Sequence, residues 1–312
     1  MNLPTMTSVS PAFLLFEFSR TAFSMSMAGV VLFVIGLWAA KTDFVQAHGL
    51  DKIVALTNLC FAAPLAVFGA EHFSAAQGIS QIVPKYMHWP LFWTYFVGLA
   101  LVAASLSIAT KIQVVWSGLL FGCMMFLFVA MTTVPGLVTE PHNRITWVLL
   151  LREPVFASGA WILAACAMAK KDGLSSKLIV FGRIVIGISA SFYGVENFLH
   201  PLNVPGVPLE KMLPSWIPVP TLIGYLTAAI LLVAGVCILL AKKTRMAATY
   251  LGTWILLLVI SIYGPILIVS LLDPSTDVKV EGLNYFFDTL LYAGAILALA
   301  SASPGSERNL SS

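Results

Sequence analysis

Residues 90–110 read PLFWTYFVGLALVAASLSIAT, twenty-one positions without one charged side chain. As a helix at 1.5 Å per residue this stretch is about 32 Å long, enough to cross roughly 30 Å of bilayer hydrocarbon. The rest of the chain has the same character. Of its 312 residues 59% are hydrophobic and only 10% charged, and the mean hydropathy is +0.92, whereas a soluble domain carries about 25% charged residues. That composition excludes an ordinary soluble enzyme and a disordered chain. Four Cys are too few to make a disulfide scaffold of this length. A formal net charge of +3 offers nucleic acid no surface.

Uncharged stretches of spanning length number nine: 22–40, 52–73, 90–110, 114–134, 145–169, 177–199, 219–241, 245–270 and 284–302. Nothing alternates with the period of a transmembrane β-strand, so the expected fold is all-α transmembrane. The first stretch follows Glu17 and Arg20 rather than a basic leader and is longer than a signal-peptide core, so it is read as a retained span. Short-loop Lys and Arg then set the orientation. Lys41, Lys52, Lys111, Lys170, Lys171, Lys177, Lys242, Lys243, Arg245 and Arg308 gather on one face, and Arg20, Lys85, Arg144, Lys211 and Lys279 on the other. The richer face is expected in the cytoplasm of a plasma (inner) membrane protein, with the amino terminus outside and the carboxyl terminus inside.

An internal repeat organises the chain. Phe68-Gly69-Ala70-Glu71-His72-Phe73 reads against Tyr193-Gly194-Val195-Glu196-Asn197-Phe198 at an offset of 125. Five residues are then inserted, and the offset holds at 130: Pro84 with Pro214, Pro90 with Pro220, Tyr95 with Tyr225, Gly122 with Gly252 and Pro135 with Pro265. Four spans per repeat return the chain to the side it started from, so the expected relation is a pseudo-two-fold axis along the membrane normal. The expected organisation is an N-terminal segment with one span (1–49), two parallel four-helix repeats (50–171 and 172–303) and a polar tail (304–312).

Ionisable groups within spans are costly, about 2.5 to 3.5 kcal/mol on insertion scales, so each invites a role. Glu71 and Glu196 lie 19 residues beyond Lys52 and Lys177, about 28 Å along a helix and near the outer interface. Glu153 and Asp288 come early in the last span of each repeat, which places all four acids in the outer half as candidate catalytic or proton-accepting groups. Each has a plain alternative, a helix end reaching water or a packing ion pair. Arg152 needs a partner, and because adjacent residues on a helix diverge, Glu71 or a loop carbonyl is expected in preference to Glu153. His72 and Asn197 follow the two glutamates. The segments Ile82–Pro90 and Met212–Pro220, with Trp89, Trp216 and nearby Tyr95 and Tyr225, form either an interfacial aromatic belt or a lid over a cavity suited to a flat amphiphile such as a quinone. Arg152, His72, Asn197, Trp89, Trp216, Tyr95 and Tyr225 are therefore candidate ligand-binding residues. No metal site is expected, because no His-x-x-x-His pair occurs. Cys60, Cys123, Cys166 and Cys237 are single, buried-type thiols.

The Gly-x-Glu-[His/Asn]-Phe motif closing a first span, followed by the paired prolines and a span rich in small residues, resembles the DoxX and DoxD-like membrane proteins. The resemblance covers roughly residues 50–302 and implies two four-helix units fused. It implies a membrane redox context, with DoxD-like subunits associated with thiosulfate oxidation coupled to quinone and other relatives with thiol homeostasis. On that likeness Glu71, Glu196, Pro84 and Pro214 are the positions carried over. The absence of a paired-Cys motif departs from the relatives that handle disulfides. Three readings follow: a quinone-interacting redox component working with another soluble or membrane electron carrier, a proton-linked small-molecule carrier, and a non-catalytic scaffold or assembly protein. If it is an enzyme, a thiosulfate- or thiol-to-quinone oxidoreductase subunit is the expected type.

Overall fold

The computed structural model describes residues 19–168, 173–207 and 211–303. The segment before residue 19, Lys170, Lys171 and Arg308 of the charge count, the expected boundary at 171/172 and the tail 304–312 lie outside the described residues. Among the described residues the fold is all α, with no strand and one isolated bridge, Asn203 to Met212. The helices are α1 (Arg20–Gln46), α2 (Asp51–Ala55), α3 (Thr57–Ser74), α4 (Ala76–Ile79), α5 (Pro90–Thr110), α6 (Val114–Phe128), α7 (Val134–Thr139), α8 (Arg144–Ala167), α9 (Gly173–Leu199), α10 (Pro220–Leu239), α11 (Thr244–Leu258), α12 (Gly264–Leu272) and α13 (Thr276–Ala302). One π-helical turn, Val129–Thr133, joins α6 to α7, and another, Val259–Tyr263, joins α11 to α12.

Among the described residues eight helical rods are long and apolar enough to cross a membrane: α1, α5, α6 through α7, α8, α9, α10, α11 through α12, and α13. The remaining expected stretch, 52–73, takes a different form. It is split at Leu56 into α2 and the 18-residue α3. Thr57, Asn58, Pro64, Glu71 and His72 make α3 less apolar than the rest, and it is largely buried among its neighbours rather than turned outward. α8 and α13 are likewise the most enclosed of the eight rods.

Lipid gives no hydrophobic drive between helices, so close approach of small residues decides the packing. α3 meets α5 where a Cβ on Gly69 would stand 2.7 Å from Val102 and 3.1 Å from the Gly98 carbonyl. At the centre α8 meets α13, and a Cβ on Gly159 would stand 2.5 Å from Ala295. α3 also packs on α13, and α9 on both α8 and α10, while α6 packs on α8 and α11 on α13.

Several local features recur along the chain. Trp89 and Val219 are both left-handed immediately before a proline that opens a helix. Lys111 and Ala241, and then Gln113 and Lys243, are left-handed in the turns that follow α5 and α10. The π turns precede Pro135 and Pro265. Proline lacks an N–H and its ring clashes with the carbonyl four residues back, and the wider π turn accommodates both faults. Asn58 donates to the Ile108 carbonyl (3.0 Å) and Arg183 to the Ile238 carbonyl (2.8 Å), each covering the open end of a neighbouring helix.

Candidate functional site

α3 and α9 end, and α5 and α10 begin, at one end of the bundle, which the connecting segments 75–89 and 200–219 cover. Under the first segment lies a cavity of about 520 Å³, bounded by α3, α5, α6 with its π turn, α8 and one residue of α13. Its walls are mostly apolar: Ile79, Ile82, Val83, Pro84 and Met87 from the covering segment, Trp93, Phe96 and Val97 from α5, and Met124, Leu127, Phe128 and Met131 from α6 and the π turn. Phe96, Leu127 and Ile82 are also among the exposed side chains. Glu71, His72, Thr94, Thr132, Glu153 and Asn284 are the polar groups among the walls.

Each polar group has a defined local partner. Asn284 on α13 donates its amide N–H to Glu71 Oε1 at 3.1 Å. Glu153 Oε2 accepts from Thr133 Oγ1 at 2.6 Å; Thr133 is the last residue of the π turn, and the turn's extra residue brings it onto α8. His72 Nδ1 lies 2.7 Å from the Phe68 carbonyl one helical turn back. A carbonyl only accepts, so Nδ1 carries the proton of that bond.

The equivalent place between α9, α10, α11 and α13 is filled. The connection 200–219 is five residues longer than 75–89, and Val204, Pro205, Gly206 and Val207 dip inward, with Val207 wholly buried. The Asn197 side chain brackets Gly206, accepting its N–H at 3.1 Å and donating to its carbonyl at 3.3 Å. Tyr263 Oη donates toward the carbonyls of Pro205 (3.0 Å) and Val207 (2.9 Å), and Thr289 joins it on Val207. Gly206 takes φ +96°, a region that suits a residue without Cβ. Trp254, where the first half has the cavity-lining Met124, spans to Thr227 Oγ1 at 3.2 Å.

The expected site residues therefore separate. Glu71, His72 and Glu153 come together at the cavity. Arg152 and Asp288 form an ion pair at 3.1 Å across the α8–α13 contact and are not among the cavity walls. Arg152 on α8 reaches Asp288 on α13 for its ion pair, where Glu71 or a loop carbonyl was the expected partner. Glu196 accepts from Arg144 Nε at 2.7 Å, with His200 3.8 Å away. Asn197 holds the inserted loop. Trp89 and Trp216 are 78% and 51% exposed. Tyr95 and Tyr225 are also exposed, Tyr95 stacked on Phe73 and Tyr225 tilted against Phe198, with ring centroids 6.0 Å apart in each case. These four aromatics point outward, which fits a belt; the part of the segment that covers the cavity is 79–87. Sequence reasoning missed Asn284, Thr133 and Trp93. An Asn inside a span was the available signal for the first. Among the described residues no group of three or more His, Cys, Asp or Glu is arranged to hold a metal ion.

No family model, curated protein or solved structure matches this chain.

Proposed function

We propose that this multi-pass membrane protein binds a flat amphiphile of the quinone class, drawn laterally from the bilayer, and serves as the quinone-interacting component of a membrane redox system. The observation that carries the reading is a cavity of about 520 Å³ with apolar and aromatic walls and with two carboxyl groups and a histidine set into it. Ligand pockets of about 300–1,000 Å³ with a few convergent polar groups are the common form of small-molecule sites. In this reading Glu71, His72 and Glu153 contact the polar end of the ligand, Trp93 and Phe128 its ring, and 79–87 is the cover. Electrons come from a partner, soluble or membrane-bound, since the sequence carries no cofactor motif of its own.

The DoxX-like likeness of the Gly-x-Glu-[His/Asn]-Phe motif supports the same context, and so does the reading of the chain as two fused four-helix units. Support for that duplication is the recurrence of left-handed residues, π turns and helix-end hydrogen bonds at matching places. The excess of Lys and Arg at the opposite end supports a cytoplasmic location for that end, with the cavity toward the outside of an inner membrane.

The test is co-purification. Wild-type protein extracted into nanodiscs retains an isoprenoid quinone detectable by mass spectrometry, and Val97→Trp, which fills the cavity, loses it while keeping its thermal transition. Equal quinone in both preparations, or none in the wild type, overturns the reading.

A further inference from the structure

We infer that the cavity recognises the hydrogen-bond-donating form of its ligand, an aromatic amphiphile whose polar end carries hydroxyl groups, in preference to a carbonyl-only form. The inference rests on the quinone-class reading above and sharpens it to a redox state.

The filled half-site supplies the comparison. There Tyr263, Thr289 and Asn197 present donors, and the loop answers with the carbonyls of Pro205, Gly206 and Val207. At the places offset by 130 and 125 residues the open half-site has Thr133 and His72, with Glu153 beside Thr133, and the polarity is reversed. Thr133 spends its hydroxyl on Glu153. His72 spends its Nδ1 proton on Phe68, which leaves Nε2 of the neutral ring as an acceptor.

Most other side-chain donors in the cavity wall are also committed. Trp93 Nε1 donates to the His88 carbonyl at 3.0 Å, Thr94 to Pro90 at 3.0 Å and Thr132 to Phe128 at 2.7 Å. One amide N–H of Asn284 is held by Glu71, while Asn284 Oδ1 is buried and accepts nothing among the described residues. What faces the ligand is chiefly acceptors, the carboxyl oxygens of Glu71 and Glu153 and the free nitrogen of His72, beside the second amide N–H of Asn284. A buried polar group left without a partner is costly, so a site of acceptors favours the ligand that brings protons. A dihydroxy ring supplies them. Its quinone and its dimethyl ether do not.

The test uses the full-length wild-type chain in nanodiscs, titrated calorimetrically under anaerobic conditions with trimethylhydroquinone, its 1,4-dimethyl ether and trimethylquinone. The hydroquinone is expected to bind about tenfold or more tightly than either of the others, the loss typical of a site whose buried groups go unpaired. Glu153→Gln and Glu71→Gln, which replace a carboxyl oxygen by a donor NH2, are expected to narrow that ratio and raise affinity for the quinone. Equal affinities, or a preference for the quinone, overturn the donor inference while leaving the cavity reading standing. Binding of none of the three overturns both.

Discussion

The two half-sites have nearly the same walls and opposite contents. Under 75–89 the space between the helices is open, and under 200–219 it is occupied by the protein's own Val204–Val207 and by Trp254. Five additional residues in one connection account for most of the difference. The glutamates that close α3 and α9 differ in the same way. Glu71 meets the neutral amide of Asn284 and faces the cavity, whereas Glu196 meets the guanidinium of Arg144 and is held as a structural ion pair. The place beneath 200–219 is fastened shut by the protein's own residues. The other keeps its polar groups available to a ligand.

That contrast can be broken at four places. The largest effect is expected at the joint between the halves. Arg152→Met removes the ion pair to the partly buried Asp288, which costs about 3 kcal/mol, the lower end of the range for breaking a buried pair, and the double variant Arg152→Met/Asp288→Leu recovers most of it; thermal unfolding in detergent reads both. Next comes the filled half-site. Tyr263→Phe strips the Pro205 carbonyl of its hydroxyl partner and halves the grip on Val207, lowering stability by about 1–3 kcal/mol. Thr133→Val, at the corresponding place, falls at the lower end of that range, because Glu153 can still turn to the cavity. Third, Met124→Trp gives the open half the residue of the filled one. It is expected to abolish ligand binding, measured by calorimetry, at a stability cost below about 1 kcal/mol, since it fills space already present. The smallest effect belongs to the exposed aromatics: Trp89→Phe and Trp216→Phe shift stability by no more than about 0.5 kcal/mol, and neither changes binding.

Much of this was legible in the sequence. Composition determines the membrane class, and uncharged runs bounded by charge or proline mark the rods to within a few residues. The 52–73 stretch shows where such counting stops. Its polar residues and Pro64 suit a helix enclosed by others, and hydropathy alone does not distinguish that from a lipid-facing span. Pro135 and Pro265 stood out as a pair, but the π turns ahead of them depend on how each rod absorbs its proline. The five-residue insertion was visible too. Where it goes was not, because a loop that turns inward reads like one that stays at the surface. For the site, Glu71 and Glu153 were singled out by the cost of placing ionisable groups within spans, and His72 by its place directly after Glu71. The same rule also flagged Glu196 and Asp288, since it weighs expense and not direction, and side-chain direction is set by the packing of α8 on α13.

Cysteine labelling tests the central contrast most directly. In a background with Cys60, Cys123, Cys166 and Cys237 replaced by Ala, Val97→Cys and Thr227→Cys occupy corresponding places on α5 and α10, one lining the cavity and one wholly buried beneath Trp254. With a small membrane-permeant maleimide, Val97→Cys is expected to label readily and to be protected by trimethylhydroquinone, while Thr227→Cys stays unmodified. Equal labelling of the two positions would contradict the account.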